Sequence, residues 1–275
     1  MSLKHLSKDL TSYDLLKALA VLLMLVDHTG HYFFPDDEWW RVWGRFCVPI
    51  WFFLIGYARS RDLGPRLWGG ALILVIASGA SGMGFFPLNI LATIIILRLA
   101  LDPVMIRVMR GPQHLWQISA ILLFLVLPSS YLFEYGTLAF VMAMYGWLVR
   151  HQMEYEFGSK YKQLFFFLAV GSFVFLQSLF FAFDPQQIMV VSGGTLLVMT
   201  ALMFFKPLTF VGTGQGVVGV LLAPFRILGR YTLEIYVVHL LLFKAAGVMF
   251  YPERFHLWDW HLVMVDSFES AISGL

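Results

Sequence analysis

The stretch Ser12-Tyr-Asp-Leu-Leu-Lys-Ala-Leu-Ala-Val-Leu-Leu-Met-Leu-Val-Asp-His-Thr-Gly30 decides the fold class: it is long and apolar enough for a bilayer helix, yet carries Asp14, Lys17, Asp27 and His28. An Asp or Lys at the centre of such a helix costs roughly 2.5–3.5 kcal/mol on insertion scales, so ionisable groups persist there when paired or functional. At 100° per residue, Lys17 and His28 share a face to within about 20°, and they stand about 16 Å apart along the axis. One stripe of one helix thus offers a cation near one end and an imidazole near the other.

The rest of the chain agrees with a membrane setting. Of 275 residues, 59% are hydrophobic and only 13% charged, and the mean hydropathy of +0.76 lies outside the balance of soluble domains. Runs near the length of a span occur at about 12–33, 42–58, 67–86, 88–106, 115–132, 135–150, 163–183, 187–206 and 231–250. The expectation is an all-α transmembrane helical bundle of about nine to ten spans, a single domain over residues 1–275. The glycine-rich stretch Pro207 to Pro224, basic at both flanks, suits a re-entrant or interfacial element before the last span. The first run follows Lys4 and Lys8 but has no small-residue cleavage pattern, which predicts a retained helix rather than a signal peptide. The Trp-rich tail from Tyr251 to Leu275, with Trp258 and Trp260, suits a membrane interface.

With the amino terminus in the cytoplasm, most Lys and Arg fall on the inner connections and only Arg41, Arg45, Lys244 and Arg254 on the outer side. This predicts an integral protein of a bacterial inner membrane with a cytoplasmic amino terminus. The single cysteine, Cys47, excludes an intrachain disulfide, and the eight histidines lack metal-ligand spacing, so no metal is expected. No nucleic-acid partner is expected either; the surroundings are membrane lipid.

His28 is the leading catalytic candidate, as a neutral imidazole that acts as base or carries an acyl group. Asp27 follows as a carboxylate beside it, although neighbours on a helix point about 100° apart, which leaves His31 or Arg45 as its partners. Arg41 and Arg45 share a face and could meet an anionic acceptor. Asn89 and Thr93 form a polar pair one turn apart, above Arg98 at the inner end. In Leu228-Gly-Arg-Tyr-Thr-Leu-Glu-Ile-Tyr-Val-Val-His239, residues Thr232, Tyr236 and His239 share one face, while Arg230 and Glu234 have the spacing of an ion pair.

These residues carry a resemblance. Lys17 to His28, then Phe-Phe-Leu-Ile-Gly-Tyr57, then the closing helix to His239, resembles the integral-membrane acyltransferase-3 superfamily in order and spacing. Leu-Leu-Lys-Ala-Leu-Ala…Met-Leu-Val-Asp-His-Thr-Gly30, followed by Arg41-Val-Trp-Gly-Arg-Phe-Cys-Val-Pro-Ile-Trp-Phe-Phe-Leu54, is similar to its TraX branch, known for acetylating the amino terminus of pilin. The resemblance implies transfer of an acyl group, usually acetyl, from cytosolic acetyl-CoA to an extracytoplasmic amine or hydroxyl of a pilin-like protein or glycan. It maps the motif histidine to His28 and its basic partner to Lys17, a point charge where the wider superfamily has the arginine fork.

That chemistry assigns Lys17, Arg59, Arg98 and Arg230 to the carrier phosphates. It gives catalysis to His28, Asp27, Tyr236 and His239, and the acceptor to Arg41, Arg45, Asn89 and Glu234. The alternative is a proton-coupled transporter or flippase with a relay through Asp27, His28, Glu234 and His239, and a scaffold with satisfied charges is the third reading. Oligomeric state is not set by the sequence.

Overall fold

The computed structural model describes residues 9–151 and 159–262 of the chain. Lys4, Lys8 and the tail beyond residue 262 lie outside the described residues. The chain is mostly helical. A short strand β1 (Leu10–Thr11) leads into α1 (Ser12–Phe33), then α2 (Trp39–Gly44), α3 (Cys47–Tyr57), α4 (Pro65–Ala80), α5 (Ile90–Val108), α6 (Pro112–Phe124), α7 (Val126–Ser130) and α8 (Leu138–Arg150). The second half holds α9 (Ser159–Phe180), α10 (Pro185–Met203), strand β2 (Thr209–Phe210), α11 (Gly216–Leu221), α12 (Ala223–Arg230) and α13 (Thr232–Phe250).

Helix α1 begins on a capping box. The Thr11 hydroxyl accepts from the Asp14 N–H at 3.1 Å, and the Asp14 carboxylate accepts from the Thr11 N–H at 3.0 Å. Asp14 is therefore a helix-start group rather than a mid-bilayer charge. Its carboxylate also receives Arg230, from Nε at 3.3 Å and Nη2 at 3.1 Å, and Arg230 donates at 2.8 Å to the Asp9 carbonyl. Gly229 lies flush against the Asp14 backbone, so the start of α1 and the end of α12 lock together. Strands β1 and β2 pair antiparallel, Leu10 with Phe210 and Thr11 with Thr209, tying the glycine-rich segment to the same end. Its two helices are short and leave Val217 and Val220 exposed, as an interfacial element does.

The centre of the core is the crossing of α3 and α8, both buried nearly all round. A Cβ on Gly56 would collide with the Ala143 carbonyl, and one on Gly146 with the Phe53 carbonyl. Each helix thus offers a glycine where the other's backbone passes. Around this pair stand α1, α5, α9 and α10, with α13 packed on α1 and α4, and the outer faces of these helices expose large apolar side chains such as Leu99, Ile106, Phe175, Leu197 and Leu242.

The span count differs from the sequence expectation of nine to ten. Among the described residues, three helices are long and apolar enough to cross a membrane: Lys160–Phe180, Pro185–Met203 and Thr232–Phe250. Helices α1 and α5 have the length but carry Asp14, Lys17 and Asp27, and Arg98, Asp102 and Arg107, respectively. The run 42–58 is divided between α2 and α3, with Pro49 confined to the first turn of α3, where its missing N–H does least harm. The run 115–132 divides at Leu125, and Pro65–Ala80 and Leu138–Arg150 are apolar but shorter.

The tail is more than an interfacial strip. Trp258 N–H donates to the Ala80 carbonyl at 3.0 Å, and Phe85 and Phe86 N–H groups donate to His261 and Leu262 carbonyls at 3.2 and 3.0 Å. Phe255 is buried under Tyr32, with rings stacked at 5.7 Å. The segment closes over the C-terminal ends of α1, α4 and α13. The α3–α8 contact yields a first prediction: Gly146→Val, which drives a side chain into the Phe53 backbone, lowers stability in detergent by about 1–3 kcal/mol, read as a lower unfolding midpoint.

Candidate active site

A cavity of about 300 Å³ runs beside α1 and is lined by Lys17 and Arg98 at one end and by His28, Glu134, Tyr135 and Tyr236 toward the other. Because α1 is unbroken from Ser12 to Phe33, the 11 residues from Lys17 to His28 keep their separation of about 16 Å. The stripe read from the sequence is therefore one wall of the cavity.

His28 and His239 are brought together from α1 and α13. His28 Nδ1 lies 2.7 Å from His239 Nε2, and the rings stack with centroids 5.0 Å apart. His239 Nδ1 lies 2.8 Å from the Ile235 carbonyl. A carbonyl only accepts, so His239 Nδ1 carries the proton and, in the neutral ring, Nε2 is an acceptor. His28 then donates through Nδ1–H, which leaves Nε2 of His28 as the basic lone pair. His239 does not line the cavity, so it acts on His28 from behind. Tyr236 packs on both imidazoles, with centroids 5.9 Å from His28 and 5.6 Å from His239. Thr232, on the same face of α13, also lines the cavity.

Asp27, the residue before His28, is turned toward α2. Arg41 Nη1 donates to Oδ2 at 3.0 Å, and Arg45 Nε faces Oδ1 at 3.3 Å as an ion pair outside good hydrogen-bond geometry. Arg41 Nη2 meets His31 Nδ1 at 2.8 Å, so this arginine bridges Asp27 and His31, and of the two partners considered for Asp27 it is Arg45 that pairs with it directly. Arg45 also donates to the Tyr135 hydroxyl, and both guanidiniums sit over the Phe181 ring, at 5.1 and 4.5 Å. A Cβ on Gly44 would overlap Asp27, so the glycine admits α2 to this contact. Arg41 and Arg45 are engaged in holding Asp27, which also lines the cavity, and its carboxylate is bound to the two guanidiniums rather than to His28.

Other expected site residues lie elsewhere. Arg230 is spent on Asp14, and Glu234 pairs at the surface with Arg66 at 3.4 Å. The expected Arg230–Glu234 pair does not form because α12 ends at Arg230 and α13 starts at Thr232, with Tyr231 between them out of helical register. Arg59 is exposed and outside the cavity lining. Asn89 is the N-cap of α5: its carbonyl accepts from Leu91 and Ala92 N–H groups at 3.1 and 3.4 Å, and its amide donates to the Ala71 carbonyl at 3.0 Å. Arg98 lines the cavity while donating to the Asp62 carbonyl. Among the described residues no cluster of His, Cys, Asp or Glu is arranged to hold a metal.

Sequence reasoning passed over Glu134, Tyr135, Cys47 and Trp51, all of which line the cavity. The loop between α7 and α8 presents Glu134 and Tyr135. Its backbone is pinned: Glu134 N–H donates to the Leu88 carbonyl at 2.9 Å, and its own carbonyl accepts from the Thr93 hydroxyl at 2.9 Å. Tyr135 takes φ +66°, an unusual value for a residue with a Cβ, and Gly136 follows at +48°. Burial pushes the Glu134 carboxyl from its ordinary 4.5 up to about 7, against the pull of Arg45, Lys244 and the Ile90 N–H. The buried Lys244 donates to Met83 Sδ at 3.0 Å and lies over the Tyr32 ring.

Two outcomes follow. Removing one member of the Asp27 clamp, as in Arg45→Met, leaves a buried carboxylate short of a partner and lowers stability by about 3–5 kcal/mol in thermal unfolding. For Glu134, the folded protein holds a proton between about pH 4.5 and pH 7 that the unfolded chain releases. Stability contributed by this group is thus full below pH 4.5 and is lost as pH rises through about 7. Unfolding midpoints of Glu134→Gln lack this fall.

Comparison with known proteins places the chain. A family model described as "TraX protein" matches residues 12–246. An uncharacterised protein of Rickettsia prowazekii (strain Madrid E) is 28% identical over 152 residues, which is 54% of this chain and 60% of the relative. The chain thus spans about 60% of the length of that curated relative, and no solved structure matches. The matched region takes in the whole of the cavity, from Tyr13 to Tyr236, and on that match the chain belongs to the TraX family.

Proposed function

We propose that this protein is a membrane acyltransferase of the acyltransferase-3 type, which moves an acetyl group from cytosolic acetyl-CoA to an extracytoplasmic amine or hydroxyl. The observation that carries this reading is one cavity with cations at one end and an oriented imidazole at the other. Lys17 and Arg98 hold phosphates of the carrier, and the flexible arm lies along α1 with its thioester near His28. The acceptor then meets the thioester at the outer end. His28 Nε2 takes the proton as the acceptor attacks, because His239 fixes the tautomer that leaves this lone pair free. Tyr236 donates to the developing oxyanion, a contribution of about 2.7–4 kcal/mol for one well-aimed donor; its place in the cavity wall beside His28 supports this role.

Orientation follows the same reading. The amino terminus, Lys17 and Arg98 face the cytoplasm, and the tail and the loop carrying Glu134 face outward, in the inner membrane of a bacterium. Helices α1 and α5 cross the bilayer in spite of their charges, since Asp27 and Asp14 are paired within the protein and Leu99 and Ile106 of α5 turn outward. A proton relay through Asp27, His28, Glu234 and His239 finds little support, because Asp27 is clamped and Glu234 pairs at the surface.

The test is acetyl-CoA turnover by the purified protein in lipid nanodiscs, followed as release of the free thiol. His28→Ala loses at least about 100-fold, in the range of general-base catalysis. His239→Ala, which frees the wrong tautomer, loses at least about tenfold, and His239→Gln, whose amide oxygen can still accept from His28, recovers part of it. Full turnover in folded His28→Ala contradicts the proposal.

A further inference from the structure

Glu134 is a carboxylate in the cavity wall with no ion-pair partner within 4 Å among the described residues. Burying such a group without a counter-ion is costly, and two hydrogen bonds to its backbone hold it there on a loop whose next residue has positive φ. The charged and titratable groups around it come from several elements: Asp27 and Tyr32 of α1, Arg45 after α2, Tyr236 and Lys244 of α13, and Tyr135 beside it. Arg45 is committed to Asp27 and Tyr135, and Lys244 to Met83. The carboxylate keeps the Ile90 N–H as a donor but no counter-ion, and Glu134 lines the cavity together with the rings of Trp51, Tyr135 and Tyr236. A carboxylate among aromatic faces is an environment for a cation.

Resting on the acyl-transfer reading, we propose that Glu134 is a second base of this site, which binds an acceptor arriving as an ammonium ion and takes its first proton. The stoichiometry of amine acylation calls for such a group. An ammonium nitrogen has no lone pair until one proton leaves, and that proton passes to the Glu134 carboxylate. The freed lone pair attacks the thioester carbonyl carbon, the C–N bond forms, and the carbonyl electrons move to oxygen. His28 Nε2 takes the second N–H proton. As the carbonyl re-forms, the C–S bond breaks and the thiolate takes the proton held by His28. Glu134 finally releases its proton to water. The balance is ammonium plus acetyl-CoA to amide, free CoA thiol and one proton. A hydroxyl acceptor loses a single proton and needs His28 alone. The elevated carboxyl pKa described above matches a base that must pick up and release a proton near neutrality.

The experiment compares wild type with Glu134→Gln and Glu134→Asp, as full-length protein in nanodiscs at pH 7. The nucleophiles are ethanolamine, mostly an ammonium ion at that pH, and hydroxylamine, mostly neutral. The inference predicts that Glu134→Gln loses about 100-fold in kcat/KM toward ethanolamine while hydroxylamine turnover stays within about threefold of wild type. The ethanolamine deficit narrows as pH rises, because the amine then sheds its own proton. Glu134→Asp, which keeps the carboxylate, retains more ethanolamine turnover than Glu134→Gln. Equal losses toward both nucleophiles, or no loss toward either, overturn the inference while leaving the acyl-transfer reading intact. A wild type that turns over neither, with acetyl-CoA also untouched, instead contradicts the acyl-transfer reading on which it rests.

Discussion

The Asp27 carboxylate, buried between the Arg41 and Arg45 guanidiniums, is the interaction on which the arrangement of the site depends. A lone ionised carboxylate in an apolar interior is untenable, and two guanidiniums stacked over Phe181 make it tenable. The clamp fixes the rotation of α1. With Asp27 turned to α2, the next residue points about 100° away, and that direction leads to α13 and the cavity. His28 meets His239 because Asp27 meets Arg41 and Arg45. Tyr135, bonded to Arg45, carries the same constraint into the loop that presents Glu134.

Around this anchor the polar groups of the interior fall into two kinds. Asp14, Arg230, Asn89 and Thr93 are consumed in caps and cross-links: a capping box, a strap from α12, an N-cap, and a hydroxyl on the Glu134 carbonyl. Lys17, His28, Glu134 and Tyr236 line the cavity. The first kind lets charged helices pack. The second gives the cavity a cationic end and an end with an imidazole, a carboxyl and a phenol, along one helix. The tail, hydrogen-bonded to the end of α4 and stacked on Tyr32, closes over the C-terminal end of α1.

What was legible in the sequence is what one helix can encode. Lys17 and His28 share a face because helical periodicity requires it, and Thr232, Tyr236 and His239 share a face of α13 for the same reason. Partners across helices were less legible. Arg230 and Glu234 have ion-pair spacing, but spacing presumes a continuous helix, and the break at Tyr231 sends one to Asp14 and the other to Arg66. Arg41 and Arg45 read as outward-facing because nothing in the sequence says that Gly44 lets α2 settle against Asp27. Of the nine to ten spans expected, three among the described residues are helices long and apolar enough to cross, because apolar content does not reveal where α2 gives way to α3 or α6 to α7. Glu134 escaped notice because an acid in a short connection between apolar runs is ordinary; only the fold shows it turned inward, and Gly136 two residues on was its one local signal.

The central claim is a division of labour along α1, with the carrier held at Lys17 and the chemistry done at His28. Calorimetric titration of acetyl-CoA into the purified protein tests it directly, comparing wild type with Lys17→Ala and His28→Ala. The account predicts saturable binding that weakens at least about tenfold in Lys17→Ala, the loss of about 1.4 kcal/mol, and is kept in His28→Ala. Absence of binding to folded wild type, or equal weakening by both substitutions, would contradict it.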